Sequence, residues 1–135
     1  MSSMQIEVSQ MQGKVPVTVF HLTGDIDANT FESFQAQAEA SIESGTRNLL
    51  LDMTRVKYIT SAGMRAMHAI FIKLQNVSGE GDEATMAAGI RAGTFKSPHL
   101  KLLKPSRDAF TALQHAGFDM FLDTFDDLDK AIASY

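Results

Sequence analysis

Residues 48–75 read NLLLDMTRVKYITSAGMRAMHAIFIKLQ, and the rest of the chain is arranged around them. Leu49, Leu50 and Leu51 form an apolar run without alternation. A run this short and uniform fits a strand buried on both faces, as in a parallel sheet covered by helices. Asp52 ends the run with a charge, where a strand would emerge into solvent. Val56, Tyr58 and Ile59 lead to Thr60-Ser61-Ala62-Gly63, after which the apolar spacing becomes helical. A hydroxyl at Ser61 or Thr60 would cap the first turn by accepting from an otherwise unpaired backbone N–H.

At about 100° per residue, a helix over 61–75 separates into two faces. Gly63, Ala66, Met67, Ile70 and Leu74 fall together, small residues first and bulky ones after, as a helix laid on a sheet requires. Ser61, Arg65, His68 and Ile72 fall on the opposite side, with Met64 beside them. This outer stripe mixes polar and apolar groups, the composition of a partner contact. The plainer alternative is a capped surface helix.

Composition narrows the class. The chain has 135 residues, 44% hydrophobic and 21% charged, which fits one globular domain with a real core. A net charge of -4, with no basic cluster interleaved with aromatics, excludes an electrostatic nucleic-acid or anionic-membrane surface. Without cysteine there is neither a disulfide nor a thiolate metal site. The opening MSSMQIEVSQ lacks the pattern of a secretory signal, and no apolar run nears the ~18 residues of a membrane span. The expectation is a cytoplasmic protein.

Upstream, residues 5–11 alternate as an edge strand, 12–14 read as a hairpin turn, and 15–23 read as a second strand. Val15, Val17, Val19 and His21 would share one side of that strand, and Phe20 and Leu22 the other. A helix follows from Asn29-Thr30 to Ser44, with Glu32 positioned to complete a cap. Residues 76–97 lose all period and read as a long mobile insertion, with a short helix at 84–92 as one option. Residues 100–103 read as a strand, Pro105-Ser106 as the start of a helix ending at Gly117, and 120–125 as a strand with Phe121 and Phe125 on one face. Asp126-Asp127-Leu128-Asp129 starts a last helix, where the helix dipole favours carboxylates. After the opening hairpin, this alternation makes an α/β fold with a mainly parallel sheet of about five strands and helices packed on it.

Three stretches resemble the STAS domain family, which includes bacterial anti-sigma factor antagonists. They are Val19-Phe20-His21-Leu22-Thr23-Gly24-Asp25-Ile26-Asp27, then Leu49-Leu50-Leu51-Asp52-Met53-Thr54, then Tyr58-Ile59-Thr60-Ser61-Ala62-Gly63-Met64-Arg65. The ending Ala116-Gly117-Phe118 is similar as well. The resemblance spans nearly the whole chain apart from 76–97, and implies a single STAS-like domain without catalysis of its own. It implies a partner-switching regulator that binds an anti-sigma factor/serine kinase through the start of helix 61–75, with a phosphatase reversing the modification. Ser61 is then the phosphoacceptor candidate and Thr60 the second. Partner binding falls to Asp25, Asp27, Thr60, Ser61, Met64, Arg65, His68 and Ile72. In the family's commonest pattern Asp, two hydroxyl residues and Gly occupy the turn; here Thr60, Ser61, Ala62 and Gly63 do. The alternative is a STAS subunit that is not phosphorylated, in a stressosome-like scaffold or a lipid-transport complex.

Other chemistries find little support. Asp25, Asp27 and Asn29 begin like a calcium loop, but Thr30 and Ala36 stand where Gly and Glu are needed. Ser61 and His68 suggest a nucleophile and base, yet seven residues of helix separate them by about 10 Å. The histidines lack zinc-ligand spacing, and no Walker loop or G-x-G-x-x-G is present. No metal and no cofactor is therefore expected.

Overall fold

Leu49, Leu50 and Leu51 are completely shielded from solvent, and the strand they open runs through the middle of the sheet. The structure is a computed structural model that describes residues 4–79, 89–90 and 96–135. In chain order its elements are β1 (Gln5–Gln12), β2 (Pro16–Thr23), α1 (Phe31–Glu43), β3 (Leu49–Arg55), α2 (Ser61–Ser78), β4 (Leu100–Leu103), α3 (Arg107–His115), a 3₁₀ turn (Phe118–Met120), β5 (Thr124–Phe125) and α4 (Leu128–Ala133). The strands lie in the order β1-β2-β3-β4-β5, with β1 antiparallel to β2 and every later pairing parallel. This is the expected α/β layer with an N-terminal hairpin.

The sheet has two unequal faces. Phe20, Leu22, Leu49, Leu51, Met53, Leu100 and Leu102 point toward α1, α2 and α3 and build the main core with Phe34, Met67, Ile70 and Leu113. Val17, Val19, Leu50 and Leu103 point the other way, where Ala131 and Ile132 of α4 and the half-buried Met11, Val15, Phe125, Leu128 and Tyr135 pack against them. The period-2 alternation of β2 therefore divides as its sequence implies. Each large side chain so buried contributes about 1.5–3 kcal/mol relative to exposure.

Three boundaries differ from the sequence reading. β3 continues past Asp52 to Arg55, because Asp52 and Thr54 lie on the sheet face that α4 leaves open and a polar side chain there remains near water. α2 runs to Ser78 and ends at Gly79, whose φ of 67° suits a left-handed cap, so residues 76–79 belong to the helix and its cap rather than to the mobile insertion expected at 76–97, of which 80–88 and 91–95 lie outside the described residues. Within that connection Gly89 and Ile90 are helical; the rest of the option at 84–92 lies outside the described residues. Residues 120–125 are not one strand. Gly117, at φ 82°, turns the chain into the 3₁₀ turn, so Phe121 joins the main core while Phe125 packs on the second cluster. The two phenylalanines therefore occupy opposite sides.

Candidate functional site

The candidate site is the end of the molecule where β2 and β3 deliver their chains into α1 and α2. Two loops meet there and are stitched together by backbone bonds. Gly24 N donates to Arg55 O at 3.1 Å, Ile26 N to Tyr58 O at 3.1 Å, and Thr60 N to Ile26 O at 2.9 Å. Ile26 and Ile59 form a parallel bridge and are both buried, so the stitched loops carry their own small apolar floor.

Asp25 and Asp27 belong to this stitching. Asp25 Oδ1 accepts from Tyr58 N at 3.1 Å. Asp27 Oδ1 accepts from Asn29 N at 2.8 Å and lies 3.3 Å from the Thr30 hydroxyl oxygen. Thr30 is buried, and its hydroxyl accepts from Asp27 N and donates to Asp25 O. It thus braces the loop and makes no cap bond to α1, so the cap expected with Glu32 does not form.

At the start of α2 the two hydroxyls divide the work. Thr60 is the N-cap: its Oγ1 accepts from Gly63 N at 3.5 Å and donates to Ile26 O at 3.4 Å. Ser61 is the first helical residue and is exposed. Arg65 and His68 are exposed one and two turns further on, Met64 is half-buried beside them, and Ile72 is half-buried against the main core. No hydrogen bond joins Ser61 to His68 among the described residues.

His68 leans on an aromatic cluster instead. Its ring lies 6.1 Å from Phe71 and 6.5 Å from Phe118. Met64, Arg65, His68, Ala69 and Phe118 line an open cleft of about 350 Å³ on this face. Phe118 was not readable as a site residue, because its approach to α2 depends on the turn at Gly117. Tyr58 was also missed. It is 47% exposed, its backbone is pinned by Asp25 and Ile26, and Lys57 Nζ sits 5.5 Å from its ring centre. A large aromatic in a short connector just before an N-cap was the available signal.

Among the described residues, no group of three or more His, Asp or Glu side chains is placed to hold a metal ion, and no helix is long and apolar enough to cross a membrane. The arrangement provides contact surface and one free hydroxyl at a helix N-terminus.

A family model for the STAS domain matches residues 8–80, more than half of the chain, from the hairpin through the end of α2. The chain belongs to the STAS domain family. The STAS-like turn and helix are therefore those that carry Thr60, Ser61 and the outward stripe. Over 59 residues the chain is 34% identical to BtrV of Bordetella bronchiseptica, named provisionally as an anti-sigma factor antagonist; the match covers 44% of this chain and 51% of BtrV. The chain thus spans about half the length of this curated relative. Among solved structures, an anti-sigma factor antagonist from Mycobacterium paratuberculosis superposes with a TM-score of 0.70 at 16% identity, covering 98% of this chain and 93% of that one. The Bacillus cell fate determinant SpoIIAA in its phosphorylated form gives a TM-score of 0.60 at 18% identity, over 95% of this chain and 96% of that one. At such identities the likeness is one of fold.

Proposed function

We propose that this STAS domain is an anti-sigma factor antagonist working by partner switching in the cytoplasm. It docks an anti-sigma factor/serine kinase on the surface formed by Ser61, Met64, Arg65, His68 and the neighbouring Tyr58. Asp25, Asp27 and Thr60 act there mainly by holding the two loops in register, and Ile72 supports the far end of the stripe. Phosphorylation of Ser61 releases the partner and a phosphatase restores binding. At this end the protein serves as a binding surface, with the chemistry supplied by its partners.

The observation that carries the reading is the division of labour between Thr60 and Ser61. Thr60 takes the capping bond, which leaves Ser61 exposed with no structural task. A phosphate there adds roughly -1.5 to -2 charges. Locally the helix N-terminus favours an anion by about 0.3–1 kcal/mol, so the fold tolerates it. Against a docked partner the sign reverses, since a desolvated, unmatched dianion costs several kcal/mol. A loss of about 4 kcal/mol is roughly a thousandfold in affinity.

The test is calorimetric titration of the anti-sigma kinase with wild type, Ser61→Ala and Ser61→Asp. Ser61→Ala should retain affinity and Ser61→Asp should lose two to three orders of magnitude with an unchanged melting temperature. Full affinity in Ser61→Asp would exclude the switch.

A further inference from the structure

On the other face of the sheet lies a polar cleft that the switch does not use. It measures about 360 Å³ and is lined by Glu7, Ser9, His21, Asp52, Thr54 and Arg55 among others. The register explains why these residues meet. Ser9 lies opposite Val19, Glu7 opposite His21, and His21 opposite Asp52, so three adjacent strands present them on the side that faces α4. α4 covers Val17, Val19, Leu50 and Leu103 but stops short of this end. Between His21 and Thr23 the pairing with β3 shifts register. Such irregularities re-aim side chains, and here Arg55 joins Asp52 and Thr54 along the same cleft.

Within the cleft three side chains are joined in series. Ser9 Oγ lies 3.0 Å from His21 Nε2, and His21 Nδ1 lies 2.8 Å from Asp52 Oδ2. Asp52 is itself fixed, because its Oδ1 accepts from Thr54 N at 3.1 Å and from the Thr54 hydroxyl at 2.5 Å. The carboxyl of Asp52 is held below its usual range: burial alone would raise it, and the bonds from Thr54 and His21 outweigh that. An ionised Asp52 can only accept, so His21 Nδ1 carries the proton and donates. His21 Nε2 is then the acceptor for the Ser9 hydroxyl. This is the order nucleophile, base, orienting carboxylate.

We propose that Ser9, His21 and Asp52 form a second, nucleophilic site that accepts an acyl group from a small ester bearing an anionic group. Ser9 Oγ attacks the ester carbonyl carbon as its proton passes to His21 Nε2, and the carbonyl π electrons move onto the carbonyl oxygen. As they return, the carbon–alkoxide bond breaks and the leaving alkoxide takes the proton from His21 Nε2. Water reverses the sequence, releasing the carboxylic acid and restoring Ser9. Asp52 is a positioning residue that keeps Nε2 free to accept. Arg55 is the cation lining the cleft, and it suits a carboxylate on the substrate. Glu7 lines the same cleft opposite His21. This site is independent of Ser61 and of partner docking.

The absence of cysteine from the chain permits a clean test. In Ser9→Cys the single thiol should react with iodoacetamide at neutral pH at least tenfold faster than a model cysteine peptide, because a paired imidazole favours the thiolate. Adding His21→Gln should abolish that advantage, and adding Asp52→Asn should reduce it, at unchanged circular dichroism. Wild type should form a fluorophosphonate adduct on Ser9, located by mass spectrometry. It should also hydrolyse p-nitrophenyl succinate at least a hundredfold faster than Ser9→Ala, the scale of positioned acid–base catalysis. Arg55→Gln should remove any preference for the succinate over the acetate ester. No Ser9 adduct in the folded wild type, or a thiol at position 9 indifferent to His21→Gln, would reduce the three residues to a cross-strand polar ladder and overturn the proposal.

Discussion

A Cβ atom built on Gly63 would lie 2.5 Å from the carbonyl oxygen of Ile26 and within 2.9 Å of the side chains of Ile26 and Ile59. The first turn of α2 therefore rests directly on the loop that leaves β2, and that carbonyl also accepts from Thr60 N. The obstacle is backbone, which cannot swing aside as a side chain would. Gly63→Ala should consequently destabilise the fold by about 1–3 kcal/mol through overpacking, despite the better helix propensity of Ala. Chemical denaturation of the two proteins measures this. Equal or greater stability in Gly63→Ala would contradict the contact.

The two hydroxyls at the head of α2 should respond differently to removal. Thr60→Ala loses the N-cap acceptor and should cost about 1 kcal/mol. Ser61→Ala removes an exposed group with no capping role, so its effect should stay within about 0.5 kcal/mol. Thermal denaturation of both variants separates them. A larger loss in Ser61→Ala than in Thr60→Ala would reverse the assignment on which the switch depends.

Much of this end of the molecule was legible in the sequence because its determinants are local. The uninterrupted Leu49-Leu50-Leu51 run and the change of period after Gly63 identify a covered strand and a helix laid on it. The opposed sides of Val17 and Phe20 follow from strand alternation alone. Asp25 and Asp27 follow β2 directly, and their bonds to Tyr58 N and Asn29 N shape the turn there. What was not legible depended on contacts between distant positions. Phe121 and Phe125 separate because of one left-handed residue at Gly117. The Ser9–His21–Asp52 series needs the register of three strands, which no spacing along the chain reveals. Asp52 likewise looked like the end of a strand, when it is the point at which the covering helix stops.

The carboxy-terminal helix is held by a further long-range pair. The Tyr135 hydroxyl donates to Leu49 O at 2.5 Å, and Lys101 Nζ bonds Ser134 O at 2.9 Å while lying 4.6 Å from the Tyr135 ring centre. Burial raises the Tyr135 phenol well above its ordinary range. A folded-state value above the unfolded one gives stability that is complete below about pH 10 and is lost as pH rises beyond it. With two tyrosines and no tryptophan in the chain, Tyr58→Phe leaves Tyr135 as the only phenol. Absorbance at alkaline pH should then show phenolate appearing together with the loss of circular dichroism. Ionisation of Tyr135 in a protein that keeps its full dichroism would place the phenol in contact with water.

Asp52 should set a pH dependence of the opposite sense. Its folded-state carboxyl lies below the ordinary value, with burial opposing and the bonds from Thr54 and His21 prevailing. The stability it contributes is therefore present above the unfolded value near pH 4 and is lost as pH falls through the lower, folded one. Asp52→Asn keeps the size of the side chain but cannot accept from both partners as a carboxylate does. Wild type should be the more stable at neutral pH, and the gap should close as pH falls below about 4 and the native carboxyl takes up its proton. His21, Glu7 and Arg55 line the same cleft, so the comparison must be made as the difference between the two proteins at each pH. A gap of constant size across the acid range would mean that Asp52 contributes through shape alone. The ionised acceptor on which His21 depends would then be absent.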